Sequence, residues 1–202
     1  MRRHLLTLLL AAGVAVAVVA CGSGAKPSFD PTGPCVADVK QPGAYPTLEA
    51  LIPSQFDGRK PDRLDSGRNC TSQSLGTLAA AGIRELRFAG GLWEVGQRSG
   101  ITLAVLSASG LTADAVADFY ESGAEAAKKT ENVKRSPVSV GEAMAWQVET
   151  LNDESYQSIV VWQATPAATV NVVLVGSDVR ETNGMAEHRD RVARAEQAFT
   201  GS

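Results

Sequence analysis

Three β-periodic segments in immediate succession decide what the C-terminal half of this chain can fold into. Residues 138–150 place Met144, Trp146 and Val148 on one side, with Gln147 and Glu149 on the other. Residues 155–164 set Ile159 and Val161 against Tyr156, Val160 and Trp162, and residues 169–175 read Thr-Val-Asn-Val-Val-Leu-Val. Side chains alternate across a strand with a period of two, so each segment predicts a strand. The joins, Asn152-Asp153-Glu154 and Thr165-Pro166-Ala167, are too short for the crossover that parallel pairing needs. Antiparallel pairing is therefore expected.

Upstream, residues 83–89, 92–95 and 101–106 predict further strands, the first two parted by a break at Gly90-Gly91. A helix is expected after Thr71 or Ser72 as N-cap, stopped by Gly82. The clearest helix covers residues 113–129 behind Thr112, with Val116, Phe119, Tyr120, Gly123 and Ala127 on one side. Asp114, Asp118, Glu121 and Glu125 form the opposite side, read as its solvated back. A final helix over residues 185–199 carries Met185, Val192, Ala195 and Phe199 as a narrow apolar stripe. The predicted class is α+β: a single domain with one antiparallel sheet of about six strands and two or three helices packed on one face.

The amino terminus is a separate matter. Met1-Arg2-Arg3-His4 precedes a 16-residue apolar run, residues 5–20, interrupted only by Thr7 and followed by Cys21. A short basic region, an apolar stretch and small residues make a secretory signal, and the run is shorter than the about 20 residues of a spanning helix. Val18-Val19-Ala20-Cys21 resembles the lipobox of bacterial lipoproteins. That resemblance implies cleavage after residue 20 and acylation of Cys21, hence a palmitate-type lipid anchor on the extracytoplasmic side of the cell membrane. Residues 21–34, rich in Gly, Pro and Ser, are expected to be a flexible tether, and residues 35–202 the extracytoplasmic domain. Without Arg2 and Arg3 the chain has 17 basic and 22 acidic residues, a net −5. Such a surface argues against a nucleic-acid partner. Eleven Arg against six Lys in that portion, with many Ala, Val and Gly, suit a GC-rich bacterium such as an actinobacterium.

Cys35 and Cys70 are the pair left once Cys21 is acylated, and an even pair in an exported chain is expected to oxidise to a disulfide. Between them, residues 54–69 hold Asp57-Gly58, Pro61 and Ser66-Gly67 among alternating charges and predict a surface loop. Its cations Arg59, Arg63 and Arg68 are candidate ligand or partner contacts, against the simpler reading that they pair with neighbouring Asp57, Asp62 and Asp65.

No nucleophile-elbow, phosphate-loop, dinucleotide, zinc-helix or calcium-loop motif occurs in the sequence. No catalytic residue, metal or cofactor is assigned. His188, on the last helix beside Arg189 and Asp190, is read as a surface residue. Core packing is the first reading for all three tryptophans, and Trp93, which follows the Gly90-Gly91 pair, is the candidate aromatic contact should the open sheet face present one. From Ile83 onward the element order resembles the PsbP-like fold, which also occurs in LpqN-type actinobacterial lipoproteins. The resemblance implies a non-enzymatic accessory or binding role and transfers no site residue; the segment between Cys35 and Cys70 lies outside it. Three functions are weighed: a tethered module binding an envelope protein or lipid, a carrier with a cavity for an apolar ligand, and an envelope-polymer hydrolase.

Overall fold

The computed structural model describes residues 29–96, 99–152, 155–164, 171–180 and 185–200. The expected signal peptide, Cys21 and the first part of the tether lie outside the described residues, as do residues 97–98, 153–154, 165–170 and 181–184.

One antiparallel sheet of eight strands organises the chain, in the order β1-β2-β3-β4-β8-β7-β6-β5. The strands are β1 (Val39–Gln41), β2 (Arg63–Asn69), β3 (Leu86–Gly96), β4 (Ser99–Ser107), β5 (Thr130–Val140), β6 (Ala143–Asn152), β7 (Ser155–Gln163) and β8 (Asn171–Arg180). Among the described residues five helices accompany them: α1 (Pro46–Glu49), α2 (Ser72–Leu75), α3 (Thr77–Ala80), α4 (Ala113–Ala126) and α5 (Met185–Thr200). The α+β class and the single antiparallel sheet are as expected. The element count is not, and the reasons are local.

Residues 138–150, expected as one strand, are the ends of two. Val140 pairs with Ala143 across a two-residue turn in which Gly141 takes φ +59°, a conformation glycine adopts without strain. The β5 half was hidden by its polar residues and by Pro137, which an edge strand tolerates because its outer side needs no ladder hydrogen bond. Residues 86–96, expected as two strands broken at Gly90-Gly91, form one. The helix expected after Thr71 is two short ones. Thr71 does cap α2, accepting from Ser74 N, but Gly76 (φ +49°) turns the chain before α3. α4 begins where predicted, with Thr112 Oγ1 accepting from Ala115 N at 3.1 Å.

The helices cover both faces, not one. α1 and α5 lie over a cluster that includes Ile52, Phe56, Trp93, Leu103, Val175, Val192 and Ala195. The other face holds Leu75, Leu78, Leu86, Val116, Val161 and Leu174, beneath α2, α3 and α4. The central strands require this. β7 alternates Val160 and Trp162 on the first face with Ile159 and Val161 on the second, and β8 alternates Val173 and Val175 with Val172 and Leu174. Strands apolar on both sides must be covered on both sides.

The segment between the two cysteines also joins the sheet. Residues 63–69 pair with β3 from Arg63↔Leu92 to Asn69↔Leu86, so the second part of the expected loop is strand β2. Cys35 and Cys70 are disulfide-bonded, with Cα atoms 5.4 Å apart. Asp38 completes the corner: its Oδ1 accepts from Cys70 N at 2.7 Å and Thr71 N at 3.1 Å.

Candidate functional site

Side-chain register explains where the sheet leaves room. On the α4 face one cross-strand row runs Arg63, Leu92, Thr102, Gly176, Ile159, Val148, Arg135, from β2 to β5. The next row runs Asp65, Gly90, Ala104, Leu174, Val161, Trp146, Pro137. Its residues over β7 and β6 are large, whereas those over β3 and β4 are a glycine and an alanine. α4 buries Val116 and Ala117, and empty space remains on either side of its Phe119 and Tyr120. The first cavity, about 340 Å³, has Gly90, Ala104, Phe88 and Leu92 in its walls, with Val116, Phe119 and Tyr120 from α4. The second, about 650 Å³, is bounded by Gly76, Phe119, Tyr120, Ala124, Val148, Thr150 and Ile159. Both volumes fall in the range of about 300–1,000 Å³ common to small-molecule sites.

Phe119 and Tyr120 stack edge to face, with centroids 5.3 Å apart. Burial raises the Tyr120 phenol above its ordinary value, so it stays a neutral hydroxyl. The charges of the first cavity lie on β1 and β2: Lys40 Nζ approaches Asp65 Oδ2 at 3.7 Å. Arg63, exposed and also in its wall, makes no ion pair among the described residues.

A clasp holds α4 on the side away from β1–β4. Arg135 of β5 is only 15% exposed, lies 4.1 Å from the Trp146 ring centroid and bonds Asp114, Asp118 and, at 3.5 Å, Glu121. The acidic stripe expected to be merely solvated is thus turned at one edge onto a cation. Desolvation alone would lower the Arg135 pKa, but the carboxylates outweigh it and hold the guanidinium more firmly protonated.

No protein-family model and no curated protein matches this chain. Its site is therefore judged on its own geometry.

The predicted contact residues disperse. Trp93 is completely buried, with its Nε1 donating to Arg59 O at 2.8 Å and its ring edge-on to Phe56, so it is core and not an open-face contact. It points to the α5 face, which the expected one-sided architecture left bare. Arg68 is buried too: it donates to Gly33 O at 2.8 Å and Pro34 O at 3.2 Å and stacks over Phe29. Residues 29–34 are consequently fastened to the domain and are not part of a free tether. Arg59 bonds Glu94 O and Asp62, as the pairing alternative expected. Of these candidates Arg63 lines the first cavity.

His188, expected at the surface, is fully buried. It precedes Val192 by four residues and Ala195 by seven, so helical spacing puts it in the apolar stripe despite its charged neighbours. The first cavity was missed because a Gly-Gly pair reads as a strand break when the strands beside it are unknown.

Proposed function

We propose that the protein is a non-enzymatic binding module of the cell envelope, anchored on the extracytoplasmic side of the membrane by acyl groups on Cys21, and that it carries an apolar or amphiphilic small molecule against α4. The observation that carries the ligand reading is the pair of cavities sharing Phe119 and Tyr120. Ligand sites are characteristically concave and largely apolar with a few polar groups, and both cavities have that character. Capture of an envelope protein has less support, since the large apolar side chains exposed among the described residues (Val36, Leu51 and Met144) belong to three separate segments. The anchor reading rests on the sequence around Cys21. The weaker hydrolase reading needs a paired acid and base, and Asp65, the carboxylate beside the first cavity, is tied to Lys40.

Native mass spectrometry of the full chain extracted from its host's membranes tests the ligand reading. A reproducible small added mass beyond the acyl groups is expected, and a bare acylated mass would overturn the carrier function. The anchor is tested separately: Cys21→Ser is expected to abolish metabolic palmitate labelling, and unchanged labelling would remove the anchor.

A further inference from the structure

Gly90 and Gly91 are neighbours on β3, face opposite sides of the sheet, and are glycine for different reasons. A Cβ on Gly91 would lie 2.7 Å from Trp93 Cζ3 and 3.0 Å from Ile52 Cγ2, so packing on the α5 face excludes any side chain there. A Cβ on Gly90 would meet nothing closer than Ala104 Cβ at 3.6 Å, an ordinary contact, and Gly90 is not among the positive-φ residues. Glycine weakens a strand interior because it packs nothing and loses the most backbone freedom on folding. Neither packing nor backbone conformation requires it at position 90. What its missing side chain leaves is the floor of the 340 Å³ cavity.

The charges beside that floor are unequal. Asp65 offsets Lys40, whereas Arg63, one register row away, is not neutralised among the described residues. A guanidinium offers a planar fork of donors that suits the oxygens of a carboxylate or phosphate. The volume is near the lower end for ligand sites and accommodates one alkyl chain in preference to two.

We propose that the cavity over Gly90 is a binding site for a single-chain anionic amphiphile, an alkyl carboxylate or phosphate monoester. Its chain lies on Gly90 and Ala104 beneath Phe119 and Tyr120, and its anionic group is held by Arg63. The proposal rests on the carrier reading above and adds the ligand class and its orientation.

The test is photolabelling of the full chain in phosphatidylcholine nanodiscs with a diazirine-bearing decanoic acid and with the decanol of the same skeleton, mapped by peptide mass spectrometry. The acid is expected to label the peptides containing residues 88–92 or 116–120, at least fivefold more than the alcohol at a subsaturating dose. Arg63→Gln should reduce acid labelling at least fivefold and leave the alcohol's unchanged. Gly90→Val fills the floor with a strand-favouring side chain and should abolish labelling there while melting no lower than the parent; Ala104→Leu fills it from β4 and is read in the same way. Equal labelling by acid and alcohol, indifferent to Arg63→Gln, would overturn the anionic class while leaving the cavity a binding site. No labelling of these peptides in the parent, or labelling that survives both filling variants, would overturn this cavity as a ligand site altogether.

Discussion

At the scale of single residues, the chain is most demanding where two faces of the sheet compete for one position. Gly91 is the clearest case. Because Trp93 Cζ3 would stand 2.7 Å from an added Cβ, Gly91→Ala is expected to destabilise by about 1–3 kcal/mol through overpacking, read from chemical denaturation. Gly90→Ala, one residue away, should be neutral or stabilising, and equal losses at both would refute the distinction. Glu196 makes the opposite demand. Burial on α5 raises its carboxyl above the usual carboxylate range. The folded chain therefore holds that proton more tightly than the unfolded chain does, and stability falls as pH rises from the unfolded value through the folded one. The penalty is absent below the unfolded value and fully present above the folded one. Glu196→Gln should raise the melting temperature at pH 7 and change it little at pH 3; a gain of the same size at both would show that ionisation is not the cause.

At the scale of elements, α4 is held by two different kinds of contact. Val116 and Ala117 bury apolar surface against the sheet, while Asp114, Asp118 and Glu121 converge on Arg135 above the Trp146 ring. Arg135→Ala removes the cation, the stacked plane and a charge that offsets three neighbouring carboxylates in that clasp. A loss of about 1–3 kcal/mol in urea unfolding is expected, and a loss below about 0.5 kcal/mol would mean that the clasp is a solvated surface feature. Arg135→Lys should recover only part of it, because an ammonium cannot present a planar fork to several carboxylates at once. The start of α4 was legible from Thr112 and the apolar spacing behind it, whereas its end, Ala126, comes three residues before the expected one. The clasp was not, since its partner lies on a strand hidden by Pro137 and by the polar residues around it.

At the scale of the whole molecule, the disulfide ties the edge of the sheet to the body. The Cys35–Cys70 loop spans 35 positions and contains β1, α1 and β2, the elements that bring Lys40, Arg63 and Asp65 to the first cavity. In the chain-entropy model, opening a loop of this length costs about 3–4 kcal/mol. The double variant Cys35→Ser/Cys70→Ser should show that loss in the unfolding free energy extrapolated to zero denaturant, with a slope no shallower than the parent's because the unfolded chain without the crosslink exposes more surface. A loss below about 1 kcal/mol would mean that the pairing of β1 and β2 holds this edge without the crosslink.

Local periodicity and local capping carried the α+β class, the antiparallel order of the C-terminal strands, and the positions of α4 and α5. Elimination among three cysteines supplied the disulfide pair. These are properties of neighbouring residues, and hydrogen bonds to nearby backbone or simple side-chain alternation suffices to specify them. Tertiary structure alone decided that helices cover both faces, that Trp93, Arg68 and His188 are buried, and that Gly90 floors a cavity while Gly91 fills a packing constraint. A side chain's surroundings depend on which strand lies beside its own and which helix crosses above, and the residues that settle both are tens of positions away in sequence.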